Sequence, residues 1–141
     1  MTTVSTTVAG SRAAAMADEF QTHPNALDET NYPALRRTLL EEEHEELLEA
    51  LEGGDPTQIA RELADVVYVV YGTAWVHGID LDAALDEIHR AAMQKMDAGV
   101  RRGDGKIIKP PGFVAPDMSL AVAGARDRAA QRAQTGDGHA R

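Results

Sequence analysis

Two acidic pairs stand where this chain should be burying apolar surface: Glu43 with Glu46, and Glu62 with Asp65. On a helical wheel of about 100° per residue, Leu35, Leu39, Leu40, Leu47, Ala50 and Leu51 share one side. Glu41, Glu45, Glu49 and Glu52 fall on the opposite side, as a solvated face should. Glu43 and Glu46 project among the leucines instead, with Glu42 at the border. Further on, Asp65 is the one charged residue between Leu63 and Val76, one turn after Glu62. Carboxylates crowded together in low dielectric repel each other and lose hydration, so a buried unpaired charge is selected against or protonated. A divalent cation removes both objections. Residues three apart on a helix share a face, so these are two such pairs on consecutive antiparallel helices. Facing each other, they present four carboxylates to one point, with Glu42 as a natural fifth.

The helices that must hold these groups read as follows. The pattern predicts a short helix over residues 11–22 and a second over 32–52, ended by Gly53-Gly54. Asp55 caps a third, with Pro56 in its first turn, running to His77 and stopped by Gly78. Asp80 caps a fourth, to Ala98. A Gly/Pro-rich loop follows over 100–118. Residues 66–70 are valine-rich enough for a strand, but the run continues through Tyr71, Ala74 and Trp75, which favours a buried helix. The expected architecture is all-α, four-helix-bundle-like, with short connections. The expected organisation is a disordered start over 1–10, one domain over 11–118, and an Ala/Arg-rich tail over 119–141, partly helical or disordered. The third helix is apolar nearly all round and must be covered on every side. A second subunit is the expected cover, giving a homodimer or homotetramer; the plainer alternative is that the tail folds back.

Composition narrows the partners. The 141 residues suffice for one domain with a real core. No cysteine is present, so disulfides and thiolate metal sites are excluded. No apolar stretch is long enough to span a bilayer and residues 1–10 carry no secretory signal pattern, so a cytoplasmic location is expected. The net charge of -9 argues against a nucleic-acid backbone as partner. It does not argue against a nucleotide, because metal ions bridge acidic side chains to phosphate.

All-oxygen ligands suit Mg²⁺, with Mn²⁺ as a substitute. A di-iron carboxylate bundle is the competing metal reading, but it wants Glu-x-x-His, whereas the second pair here is Glu-x-x-Asp and His44 points away from Glu43 and Glu46. The plain alternatives are a solvated acidic face for the first pair, since seven Glu lie between Glu41 and Glu52, and a helix-end ion pair of Glu62 with Arg61 or Arg37 for the second. Asp65, deeper in the apolar run, fits neither.

The sequence EExxEL at Glu42 to Leu47, followed by ELxD at Glu62 to Asp65, resembles the MazG-like all-α NTP pyrophosphohydrolases. Fifteen residues separate Glu46 from Glu62, within that family's usual range. Arg36-x-x-Leu39-Leu40 leads into the acidic run as it does in the family. His89 to Lys95, then Asp104-Gly105-Lys106, Lys109 and Pro116-Asp117, is similar to the HxxNMxK…DGK…K…PD ending of a bacterial and phage subgroup. Ala92 stands where that subgroup has Asn, so its base or sugar selectivity does not carry over.

The resemblance implies Mg²⁺-dependent hydrolysis of a (deoxy)nucleoside triphosphate between the α and β phosphates, giving a monophosphate and pyrophosphate, for cleaning of the nucleotide pool. It implies metal ligation by Glu43, Glu46, Glu62 and Asp65, with Glu42 or Glu43 as the general base. Lys95, Lys106 and Lys109 are expected to clamp the phosphates, and Arg36 to face the site. Trp75, Tyr68 and Tyr71 are expected to pack in the core or an interface, with one of them as a candidate lining of the base pocket; Phe113 is the better stacking candidate. Alternatives are hydrolysis of another pyrophosphate compound, such as phosphoribosyl-ATP or a signalling nucleotide, and a non-catalytic helical dimerisation module. Intact carboxylates at all motif positions weigh against the last.

Overall fold

The computed structural model describes the backbone of residues 5–125 and the side chains of residues 12–125. Its elements are α1 (Ser5–Gln21), a 3-10 turn (Glu29–Asn31), α2 (Leu35–Gly53), α3 (Pro56–His77) and α4 (Leu81–Ala98). A further helical stretch opens at 119 and runs to 125. The described residues contain no named strand, only an isolated antiparallel bridge between Arg101 and Ile107. The all-α expectation holds. No helix among the described residues is long and apolar enough to cross a membrane.

Local chemistry sets the helix ends. Asp55 Oδ1 accepts the Thr57 N–H at 3.1 Å and Pro56 opens α3, where its missing N–H costs nothing. Asp80 caps α4 in the same way, accepting from Ala83 N–H at 3.1 Å. Gly54 closes α2 at φ 76°, in the left-handed region that a Cβ disfavours, and its N–H reaches Ala50 O. Two boundaries differ from expectation. Helix α2 begins at Leu35 rather than Tyr32, because Pro33 drives the residue before it out of helical backbone; Tyr32 has φ -134° and ψ 62°. Helix α1 begins at Ser5 rather than at residue 11, so its first turns fall in the start expected over 1–10. A helix propagates one hydrogen bond per added residue once nucleated, so the alanines at 13–15 carry these weaker formers along. Residues 1–4, and the part of the expected tail over 126–141, lie outside the described residues.

The chain divides into two units, Met1–Ile79 and Asp80–Arg141. In the first, α3 is the centre: α2 packs along one side and α1 along another. Along the α2–α3 seam, Arg36, Leu40, Glu43, Leu47 and Ala50 of α2 follow alternating steps of four and three, as do Glu62, Asp65, Val69, Gly72 and Val76 of α3. Arg36 is buried and lies over Gly72, where an added Cβ would meet Nη1 at 2.5 Å. Its Nε and Nη2 donate to the two oxygens of Glu29 at 3.0 and 2.6 Å, and Nη1 donates to Val69 O at 3.5 Å. Gln21 Nε2 adds a bond to the same carboxylate at 3.4 Å. The 3-10 turn, started by Asp28 accepting from Thr30 N–H, is what swings Glu29 into reach. Helix α1 is tied to α3 by an edge-to-face contact of Phe20 with Tyr68, ring centroids 5.8 Å apart, and by Trp75 Nε1 donating to Asp18 at 3.2 Å. On α3, Leu63 and Val67 are each 48% exposed, so the described residues leave part of this apolar helix uncovered.

In the second unit the loop after α4 is tied down rather than free. Gln94 donates to Val114 O at 2.9 Å and accepts from Val114 N–H at 3.0 Å. Arg90 bridges Glu87 and Ala115 O, and Asp117 N–H donates to Glu87. Arg102 pairs with Asp104 at 2.6 Å and closes a small hairpin with Lys106.

Because Arg36 and Glu29 are both shielded, removing one partner strands the other charge. We expect Arg36→Met to lower unfolding free energy by about 3 kcal/mol, and Gly72→Ala by about 1–3 kcal/mol as the guanidinium is displaced. Urea titration checks both. A smaller loss for Arg36→Met combined with Glu29→Leu than for Arg36→Met alone would show that the stranded carboxylate carries the cost.

Candidate metal centre

The register that seats Arg36 over Gly72 also fixes what lies two turns away. Seven residues on from Arg36 along α2 is Glu43; seven back from Gly72 along α3 is Asp65. Two antiparallel helices in this register must therefore oppose carboxylates, about 10 Å along the seam from the arginine. Ligand atoms of Glu43, Glu62 and Asp65 lie within 4.8 Å of one another. Glu62 is only 4% exposed and Glu43 is half-buried.

The cluster is not satisfied by the protein alone. Gln58 Nε2 donates to Glu62 Oε1 at 2.8 Å, but Glu62 Oε2 and Glu43 Oε2 are buried without a hydrogen-bond partner. Desolvation, then the neighbouring charges of Glu46, Asp65 and Glu62, push the Glu43 carboxyl above its ordinary range. Glu62 is raised by desolvation and by Glu46 and Asp65, against a smaller opposing effect of Arg61. Orphaned buried oxygens in a cluster of like charge fit a hard divalent cation. Among the described residues no histidine joins the group, which fits the di-iron alternative poorly.

Three of the four expected ligands are thus brought together. Glu46, the fourth, is exposed, sits about 60° round α2 from Glu43, and interacts with both Glu43 and Glu62 from the edge of the cluster. With Gln58, Arg61 and Glu62 it lines a polar cavity of about 470 Å³ at this end of the seam. Glu42 is exposed, about 100° from Glu43, and outside the group, against its expected place as a fifth carboxylate. Arg36 is corrected more fully. Its guanidinium is committed to Glu29 and Val69 O, so it is a structural ion-pair residue and not a substrate contact. Gln58 was not anticipated; its place four residues before Glu62 on the same face was the signal for it.

In the second unit, Lys95 and Lys109 converge on one ring, with Nζ atoms 5.8 and 5.4 Å from the Phe113 centroid. No described carboxylate forms an ion pair with either. Lys106 is exposed in the hairpin turn, its backbone N–H held by Asp104 at 3.2 Å. His89 is exposed on α4, and Ala92 beside it is too.

The raised carboxyls dictate a pH dependence. A group whose pKa is higher folded than unfolded binds protons preferentially in the folded state, so its stabilising effect is full below the ordinary 4.5 and lost as pH rises through the folded value. With chelator present, the melting temperature should fall as pH rises above the ordinary 4.5. Glu62→Gln should flatten that slope, and Mg²⁺ should reverse it in the wild type only. Gln58→Leu, which frees Glu62 to reorient, should weaken Mg²⁺ binding about tenfold by calorimetry.

Comparison with curated proteins returned no match. A family profile described as phosphoribosyl-ATP pyrophosphohydrolase matches residues 12–92, which span α1 to α3, the acidic cluster and most of α4. This family lies within the MazG-like all-α NTP pyrophosphohydrolase superfamily, whose members are metal-dependent hydrolases of phosphoric anhydrides. With more than half of its length matched and the carboxylates of that superfamily gathered between α2 and α3, the chain belongs to the phosphoribosyl-ATP pyrophosphohydrolase family.

Proposed function

We propose that this protein hydrolyses a nucleoside triphosphate between its α and β phosphates, releasing a monophosphate and pyrophosphate with Mg²⁺ as cofactor. The observation that carries the reading is the pair of buried oxygens, Glu43 Oε2 and Glu62 Oε2, that have no hydrogen-bond partner among the described residues, in a cluster of like charge. Glu43, Glu62 and Asp65 would hold the metal, with Glu46 at the rim. When bound, Mg²⁺ supplies neutralisation of the phosphate charge and a more acidic water. Glu43, with its raised proton affinity and half-buried position, is suited to accept the proton of the attacking water; exposed Glu42 is the second candidate. Gln58 holds Glu62 in one rotamer, so the carboxylates need little rearrangement. Lys95 and Lys109, which converge on one aromatic ring with no carboxylate partner among the described residues, are candidate phosphate contacts, with Lys106 as a third cation on the same loop.

Phosphoribosyl-ATP is the second reading, favoured by the family match over residues 12–92. The Lys109–Phe113 segment lies beyond the matched residues and suits either substrate, since phosphoribosyl-ATP carries a triphosphate too. The half-exposed Leu63 and Val67 of α3 support association into a homodimer or homotetramer, which sedimentation would read directly.

A panel of NTPs, dNTPs and phosphoribosyl-ATP with Mg²⁺, products resolved by phosphorus NMR, tests these readings. Monophosphate with pyrophosphate is expected. Glu43→Gln and Glu62→Gln should each lower kcat by about 100-fold or more. Lys95→Ala should raise KM with little effect on kcat. Cleavage of phosphoribosyl-ATP alone would select the second reading, and no cleavage of any member would end both.

A further inference from the structure

A second cavity of about 470 Å³ opens where the end of α1 and the turn after it meet α3. Met16, Phe20 and Tyr68 form its walls, and Glu19, His23 and Asn25 its polar edge. Its chemistry is opposite to that of the acidic cavity beside Glu46 and Glu62. Both cavities draw on α3: Gln58, Arg61 and Glu62, the last a member of the acidic cluster, line the acidic one, and Tyr68, one turn after Asp65, lines the aromatic one. A nucleotide has one polyanionic end and one flat aromatic end. With its phosphates at the carboxylates, its aromatic end has a matching wall only on the Tyr68 side of these two cavities.

Resting on the pyrophosphohydrolase reading above, we infer that this second cavity takes the nucleobase of the substrate, with one ring of the perpendicular Phe20–Tyr68 pair stacked on its face, the other against its rim, and His23, Asn25 and Glu19 at its polar edge. Phe20 and Tyr68 meet edge to face, at 87° between planes, which leaves ring surface uncovered; they are 53% and 46% exposed. Tyr68 therefore departs from the other two aromatic residues of α3, since Tyr71 is buried and Trp75 is bonded to Asp18. His23 Nδ1 accepts the Asn25 N–H at 3.1 Å, so the neutral ring carries its proton on Nε2 and offers a donor. The Asn25 amide offers both donor and acceptor, and Glu19 offers acceptors only, so the edge can pair with the mixed donors and acceptors that every base presents. Stacking residues that tolerate any base, with few edge contacts, fit an enzyme of broad base range more closely than a strict one.

Saturation-transfer NMR with free nucleosides, which carry no phosphate and need no metal, reads the cavity apart from the reaction. Transfer to base protons is expected in the wild type, retained in Tyr68→Phe and lost in Phe20→Leu and Tyr68→Leu, with circular dichroism to confirm that the leucine variants fold. On a hydrolysed nucleotide, both leucine variants should raise KM about tenfold while leaving inhibition by inorganic pyrophosphate unchanged. Absence of base transfer in the wild type, or a matching loss of pyrophosphate inhibition, overturns the assignment. A shift of oligomeric state in the leucine variants, with nucleoside binding intact, overturns it too and gives the cavity to a second copy of the chain. Base transfer without hydrolysis of any nucleotide would leave the base site standing and end the proposed reaction instead.

Discussion

The α2–α3 seam holds like charges together, and the rest of the first unit is arranged so that it can. Glu43, Glu62 and Asp65 oppose one another within 4.8 Å, and Glu46 presses on two of them from the rim. Without a cation this end of the seam pushes the helices apart. What keeps them in register lies two turns away. Arg36 is drawn down over Gly72 by a two-point ion pair with Glu29 and a bond to Val69 O. A buried pair of that kind adds little net stability over an apolar one, but it penalises every register that separates the partners. The short turn at Gly53-Gly54 limits sliding from the other end. The carboxylates are thus preorganised by contacts that do not include them. The same arrangement lets metal binding feed back on stability.

Glycine at 72 is part of this arrangement for a reason of space and not of backbone freedom. Its neighbour across the seam is a guanidinium, and a methyl group there would overlap it. Helix α3 therefore carries three different demands on three faces. One face meets α2 with Glu62, Asp65 and Gly72. A second meets α1 through Tyr68 and Trp75. A third, with Leu63 and Val67, is left half open. A helix that is apolar nearly all round has no solvated face to spare, so this strip is the one that the described residues leave unsatisfied.

The acidic cluster was legible because a charge inside an apolar run violates the usual pattern, and Asp65 does so plainly. The helix caps were legible for a related reason: Asp55-Pro56 and Asp80 act on backbone within three residues. Arg36 was not legible. Its partner Glu29 sits on a 3-10 turn too short to leave a periodic trace, so the arginine looked available for phosphate. The distinction between Glu43, inside the cluster, and Glu46, at its rim, depends on about 60° of rotation, finer than wheel arguments resolve. Tyr68 belonged to a helix correctly taken as apolar, but only the position of Phe20 on α1 left its ring half uncovered.

By itself the sequence determined the helical class, the helix ends from α2 onward to within a few residues, and the carboxylates that suit a divalent cation. These follow from local rules: periodicity, caps, and the cost of a charge among apolar residues. The tertiary structure alone decided which carboxylates actually meet, that Arg36 is a strut and not a ligand contact, and that an aromatic cavity adjoins the acidic seam. Those outcomes depend on the register and rotation of helices whose contacting residues are 33 positions apart for Arg36 and Val69, and 48 for Phe20 and Tyr68. No short-range pattern encodes such a pairing, because it is selected by packing and by the pairing of buried charge across the seam.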